Sequence, residues 1–370
     1  MNTAQGSGES ASKPMLIVDR LEPLLGMERA TRDLLDAWGP GCTVVTISGS
    51  AKSVAHNAEV VELGKVAGWR GRLASIHPLR DQLNRATSGR PIIAVGIWSF
   101  VAAAIASLGT GRRIVVWEHS LLPWRLGHEK SIVLGAILLR LFASRCSRVI
   151  SVSVASQRCA IPLVWPFASV EVIENITPLR TKAASPDITS STEEVRLLGI
   201  GSLSRRKNWS LAIEAMHYLP TRYRLRIAGD GPDKARLTRL IERTGLSSRV
   251  ELMGYVPNAS HLLAEADVLV HPSKAETFGY VLFEAADSDT AVAAIDRPVM
   301  NEFIPVLVPG SAGGQTARKF ASSISRAADT TREAFDASRK LRTSTLDQGT
   351  ILARWSEVLS IRDTEGSLRR

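Results

Sequence analysis

Two glutamates eight residues apart, Glu276 and Glu284, are the pair in this sequence whose type and spacing can do chemistry together. They sit in the segment His271-Pro-Ser-Lys-Ala-Glu276-Thr-Phe278-Gly279-Tyr-Val-Leu-Phe-Glu284. The apolar run Val268–Val270 ahead of it reads as a strand, and Phe278–Ala286 reads as a helix. Glu276 then falls in the loop, and Glu284 near the second helical turn, roughly 7 Å along the axis from Gly279 at about 1.5 Å per residue. A helix N-terminus lies between them. Its free N–H groups and positive dipole end favour an anion such as a diphosphate, and Gly279 lets that anion approach the backbone. Carboxylates accept hydrogen bonds from vicinal hydroxyls, so one acid can hold a sugar and the other a ribose. That combination describes a nucleotide-sugar site.

Other segments supply further polar groups after strand-like runs. Gly201-Ser-Leu-Ser-Arg-Arg-Lys207-Asn208 follows the run Val195–Ile200 and leads into a helical pattern. Lys207 there is a compact cation near a helix start. Gly26, within Pro23-Leu-Leu-Gly26-Met-Glu-Arg29, follows the run Met15–Val18 and can offer backbone N–H groups to an anion. Glu28 in the same turn suits the helix dipole rather than a ligand. His119 ends the run Ile114–Trp117 and enters a loop, Leu122-Pro-Trp-Arg125, that could line an acceptor site or a packed corner. Gly199-Ile-Gly201 has the first half of a dinucleotide fingerprint but Ser204 where the third glycine would stand, so it is a weak nicotinamide-cofactor signal.

These positions together resemble the retaining, GT-B-fold glycosyltransferases of family 4, whose hallmark is Glu-x7-Glu within Pro-Ser-x-x-Glu-x-Phe-Gly. Pro272, Ser273, Glu276, Phe278, Gly279 and Glu284 match that pattern. The resemblance implies that Glu276 contacts the donor sugar and Glu284 the ribose. It aligns Lys207 with the lysine that neutralises the donor diphosphate, and it puts Ser202 where a second, phosphate-binding arginine is usual, a role that Arg205 or Arg206 could take over. It also makes Gly26 part of a phosphate-facing loop and His119 a group close to the donor sugar and acceptor. Val172-Ile-Glu-Asn175 resembles the family's interdomain hinge, with Ile176 where glycine is usual. Gly229-Asp-Gly-Pro232 matches a turn of the nucleotide domain and is as readily a structural turn. The catalytic set expected is therefore His119, Glu276 and Lys207. The donor-binding set is Gly26, Lys207, Glu276, Phe278, Gly279 and Glu284. No metal and no separate cofactor are expected, the nucleoside diphosphate sugar being a substrate. Asp287-Ser-Asp289 spells a metal-binding Asp-x-Asp, but it follows the Glu284 helix, where this family has a small turn.

The elements that must position these groups alternate. Met15–Val18, Thr43–Ile47, Ile92–Val95, Ile114–Trp117, Arg148–Val152 and Val170–Ile173 read as buried parallel strands, with Glu28–Trp38, Phe100–Leu108 and Lys130–Ser144 as helices between them. A second set restarts at Val195–Ile200 and continues through Tyr223–Ala228, Val250–Met253, Val268–Val270 and Ala291–Ile295. Lys207–Leu219 and Lys234–Thr244 fill its gaps together with the Glu284 helix. The predicted fold is α/β, two Rossmann-like domains of GT-B type facing across a cleft where a ligand is enclosed. The expected limits are a disordered tail over 1–13, an acceptor-side domain over 14–178 and a linker over 179–194. A nucleotide-sugar domain over 195–345 and a C-terminal helix and tail over 346–370 complete the chain.

Composition narrows the partners. The chain of 370 residues has a formal charge of +10, and residues 1–182 carry 21 basic against 13 acidic side chains. An anionic partner follows: a nucleotide, a lipid surface or a nucleic acid. Aromatic residues make up only 5% and no basic run is interleaved with them, which argues against a nucleic-acid platform. Three dispersed cysteines signal neither a zinc site nor a disulfide framework and fit a reducing cytoplasm. The longest apolar stretch, Ser131–Leu139, falls short of the roughly 18–20 residues that span a bilayer. The basic, partly apolar segment Lys130–Arg148 is compatible with either a buried helix or peripheral contact at the inner membrane face. The expected reaction moves a sugar to a saccharide or lipid-linked acceptor hydroxyl in polysaccharide or glycolipid synthesis. The rival readings are a nucleotide-sugar epimerase and a catalytically silent binding subunit.

Overall fold

The computed structural model describes residues 13–21, 26–52, 54–64, 69–87, 89–119, 130–177, 194–307, 310–330, 333–338 and 347–360. Most of the tail and linker segments, and the loop Leu122–Arg125, lie outside them. The chain divides into two compact units, residues 1–176 with 348–370, and residues 177–347.

Unit 1 is built on a parallel sheet of seven strands in the order β3-β2-β1-β4-β5-β6-β7. These are β1 (Met15–Val18), β2 (Thr43–Thr46), β3 (Glu59–Glu62), β4 (Ile92–Val95), β5 (Ile114–Glu118), β6 (Cys146–Ser151) and β7 (Ser169–Val172). The four middle strands β2, β1, β4 and β5 are buried along their whole length, because helices cover both faces of a parallel sheet. The helices are α1 (Gly26–Trp38), α2 (Trp69–Arg85), α3 (Ile97–Ala106), α4 (Lys130–Leu141) and α5 (Val154–Val164), joined by α11 (Gln348–Ser360) from the far end of the chain. Ser153 caps α5 by accepting a hydrogen bond from the Ser156 amide.

The returning helix is held by aromatic edges. Trp355, 1% exposed, packs edge-on against Trp38 at 5.5 Å and Trp117 at 5.3 Å between ring centroids. Its neighbour Arg354 donates to Glu174 at 2.8 Å and to the Val172 carbonyl. The segment with the hinge resemblance is thereby tied to α11, and Ile173, Asn175 and Ile176 are buried.

Unit 2 has a parallel sheet of six strands in the order β10-β9-β8-β11-β12-β13. Its strands are β8 (Val195–Ile200), β9 (Tyr223–Ala228), β10 (Val250–Gly254), β11 (Val268–His271), β12 (Ala291–Ile295) and β13 (Gly310–Gly313). The helices are α6 (Trp209–Ala215), α7 (Lys234–Arg243), α8 (Tyr280–Asp287), α9 (Pro298–Leu307) and α10 (Ala317–Ala328). Its core gathers Trp209, Tyr223 and Phe320 with the apolar residues of β8, β9 and β11. Strand order reverses between β1 and β4 in unit 1 and between β8 and β11 in unit 2. Loops leaving adjacent strands at such a point diverge and open a crevice at the strand C-termini. In unit 2 those two loops carry Lys207 and Glu276.

Candidate functional site

The β8 loop is shaped by one close approach. A Cβ on Gly199 would lie 2.6 Å from the Trp209 ring, so only glycine lets that indole slide under the strand. The fixed indole donates from Nε1 to the Ser202 carbonyl at 2.9 Å. Asn208 then turns into α6 in the left-handed region, φ 58°, which asparagine tolerates better than most residues. The Asn208 amide donates to the Pro272 carbonyl at 3.3 Å, and the Lys274 N–H to the Arg206 carbonyl at 2.9 Å, so the β8 and β11 loops are laced together.

This lacing brings Lys207 and Glu276 into contact. Lys207 Nζ donates to Glu276 Oε1 at 2.5 Å, Ser273 Oγ donates to the same oxygen at 2.8 Å, and Arg206 lies 3.5 Å from Oε2. Glu276 is 8% exposed, and burial raises its proton affinity. The Lys207 ammonium, with His271 and Arg206, outweighs burial and holds the carboxyl well below the usual range. His271 is fully buried, with Nε2 3.4 Å from Glu276 Oε1, and burial lowers its pKa. It stays neutral, so two cations face one carboxylate and a positive charge is left over for an anion. Arg206 lies against Glu276, whereas Arg205 is exposed. Ser273 had only its place in the motif to mark it, and His271 nothing beyond its place at a strand end.

Gly279 caps α8 at φ 80° and ψ 59°, a left-handed conformation that glycine adopts without strain. Glu284 follows as the fifth residue of that helix and is half-buried. Phe278 is 3% exposed and stacks on Phe283 at 4.3 Å, with Phe303 edge-on at 5.1 Å. Its ring therefore anchors the loop from the core side and has no free face for a ligand. Asp287 ends α8, and Asp289 beyond it is left-handed at φ 49°.

In unit 1, Gly26 opens α1 as an exposed first residue and Glu28 is buried in the first turn. His119 follows β5, its ring 4.4 Å from that of Trp117. Burial of the imidazole pushes its pKa down to about 3, so it is neutral at pH 7. From pH 6.5 downward the unfolded chain takes up a proton that the folded chain refuses. Stability therefore falls with pH until about 3 and levels off below. This group alone should remove about 2–3 kcal/mol between neutral pH and pH 4.5. The expected result in urea titrations at the two pH values is a smaller acid loss for His119→Gln than for the parent; equal losses would contradict a ring held neutral.

Comparison with known proteins follows the same division. A family model described as "Glycosyl transferases group 1" matches residues 181–334. The lipopolysaccharide core biosynthesis glycosyltransferase LpsD of Rhizobium meliloti is 32% identical over 117 residues, covering 31% of this chain and 34% of that protein. A Campylobacter jejuni N-acetylgalactosaminyltransferase that acts on a diphospho-undecaprenol-linked sugar is 33% identical over 101 residues, covering 27% and 28%. The chain thus spans about a third of the length of these relatives. Among solved structures, Anabaena HepE in complex with UDP and glucose superposes with a TM-score of 0.78 at 22% identity, covering 95% of this chain and all of that one. WaaG, a glycosyltransferase of lipopolysaccharide biosynthesis, gives 0.68 at 15% identity over 94% and 100%. The chain therefore has the fold of GT-B glycosyltransferases, with a match to the group 1 glycosyl transferases in residues 181–334.

Proposed function

We propose that the protein transfers a sugar from a nucleoside diphosphate donor to an acceptor hydroxyl, with retention of configuration and without an obligatory metal. The observation that carries this reading is the buried Lys207–Glu276 pair at the point of strand reversal in unit 2, with the Gly279-capped helix leaving the same loop. As the donor bond breaks, negative charge grows on the departing diphosphate. The surplus cation of the Lys207, Arg206 and Glu276 group, together with the α8 N–H groups, meets that charge without reorganising. Glu276, kept ionised, accepts hydrogen bonds from donor-sugar hydroxyls. Glu284 accepts from the ribose. A neutral His119 can exchange hydrogen bonds with a sugar hydroxyl but brings no charge of its own. In a same-face displacement the leaving phosphate takes the acceptor proton, so no protein nucleophile is needed.

The relatives act in lipopolysaccharide core assembly and on a polyprenyl-diphosphate-linked sugar, which favours a saccharide or lipid-linked acceptor here. A panel of nucleoside diphosphate sugars, scored for binding, hydrolysis and isomerisation, tests the reading. Release of an isomerised sugar without acceptor would mark an epimerase, and failure of every donor to bind would mark a silent subunit. Glu284→Ala should weaken nucleotide binding roughly tenfold or more by removing the ribose acceptor, with the fold kept. Isothermal titration reads this directly, and parental affinity would remove Glu284 from the site.

A further inference from the structure

We infer that unit 1 carries a docking face for an anionic phospholipid bilayer, formed by the outer sides of α4 and α5. Twelve large apolar side chains are exposed among the described residues, and eight of them fall between positions 133 and 167. On α4, Val133, Leu134, Ile137 and Leu141 stand within an arc of roughly 100° at about 100° per residue. Gly135, Ala136 and Leu139 face inward, where a Cβ on Gly135 would lie 3.1 Å from Ile97 and 3.5 Å from Trp98. On α5, Val154, Arg158, Ile161 and, just beyond its end, Trp165 recur at helical spacing and are all exposed. Trp165 and Leu141 are each 69% exposed, far more than isolated surface hydrophobes require. The two helices pack on each other, and Arg140 of α4 stacks over Phe167, 5.1 Å from its ring centroid, so the two stripes adjoin.

Charge selects the occupant. Residues 130–171 contain five basic side chains and one acid, Glu171, which pairs with Arg148. Arg140 and Arg158 are exposed within this face. A second copy apposed here would set these guanidinium groups against each other with no carboxylate between them, and a nucleic acid would leave the apolar stripes in water. An anionic bilayer satisfies both components: apolar chains and the Trp165 ring enter the interface while the arginines meet headgroup phosphates. No helix of the described residues is long and apolar enough to cross a membrane, so the contact is one of lying on the surface. This inference does not depend on the transfer chemistry proposed above, and its readout is separate from activity.

The test is co-sedimentation of the full chain with phosphatidylcholine vesicles, with and without phosphatidylglycerol. Binding is expected to the mixed vesicles, weakening as salt rises. A Leu134→Glu/Ile137→Glu variant should lose roughly tenfold or more in affinity. Arg140→Glu/Arg158→Glu, which leaves the apolar stripes in place, should lose binding to mixed vesicles alone. Equal binding to both vesicle types, no binding to either, or parental binding by both variants would overturn the proposal. So would a concentration-dependent dimer that Leu134→Glu/Ile137→Glu dissolves, since the face would then belong to a second copy.

Discussion

Replacing Lys207 with methionine should lower turnover at saturating donor by about 10²–10³, the range for loss of one preorganised charge contact to a developing anion. The same change leaves the buried Glu276 carboxylate with Arg206 at 3.5 Å as its remaining cation, so the loss of stability should stay below the about 3–5 kcal/mol that fully unpairing a buried charge costs. Folding and catalysis are separable here. In Lys207→Met/Glu276→Gln both charges are gone, so stability should return most of the way while turnover does not. Steady-state kinetics and urea titrations on the two single variants and the double variant give both quantities. Recovery of turnover in the double variant would mean that Lys207 acts only by neutralising Glu276.

Trp355→Ala should destabilise unit 1 by about 3–5 kcal/mol, since it removes a fully buried indole and opens a cavity in its place. Both edge contacts, to Trp38 and Trp117, go with it. Because the two units have separate cores, calorimetry should show one transition falling by several degrees while the other holds. A uniform shift of both transitions, or none, would contradict the placement of α11 in unit 1.

The site was legible where chemistry and punctuation coincide. Glu276, Gly279 and Glu284 follow a short Val-Leu-Val strand in a fixed pattern, and Lys207 follows another strand, so their elements could be placed from the sequence. That Lys207 and Glu276 touch was not legible, because pairing across 69 residues depends on β8 and β11 being neighbours. Phe278 was expected to help bind the donor. An aromatic residue in a motif gives no sign of which way its ring turns, and here it turns into the core. Expected strands matched observed ones wherever both faces are buried. The omissions were β3, Glu-Val-Val-Glu at a half-exposed edge, and β13, Gly-Ser-Ala-Gly, neither of which makes an apolar run. Helices α2, α5 and α9 were also missed, each with a proline inside it, Pro78, Pro162 and Pro305, and α2 with four arginines besides.

Because α11 completes unit 1 only after unit 2 has been threaded out, the order of synthesis and the order of assembly cannot agree. A nascent chain emerging from the ribosome presents all of unit 2 before Trp355 exists to seal the indoles of Trp38 and Trp117. Unit 2 is free to fold before α11 has been made; unit 1 cannot complete its packing until then. A nonsense codon near residue 348 or a protease nick beyond it would therefore do its damage in the segment made first.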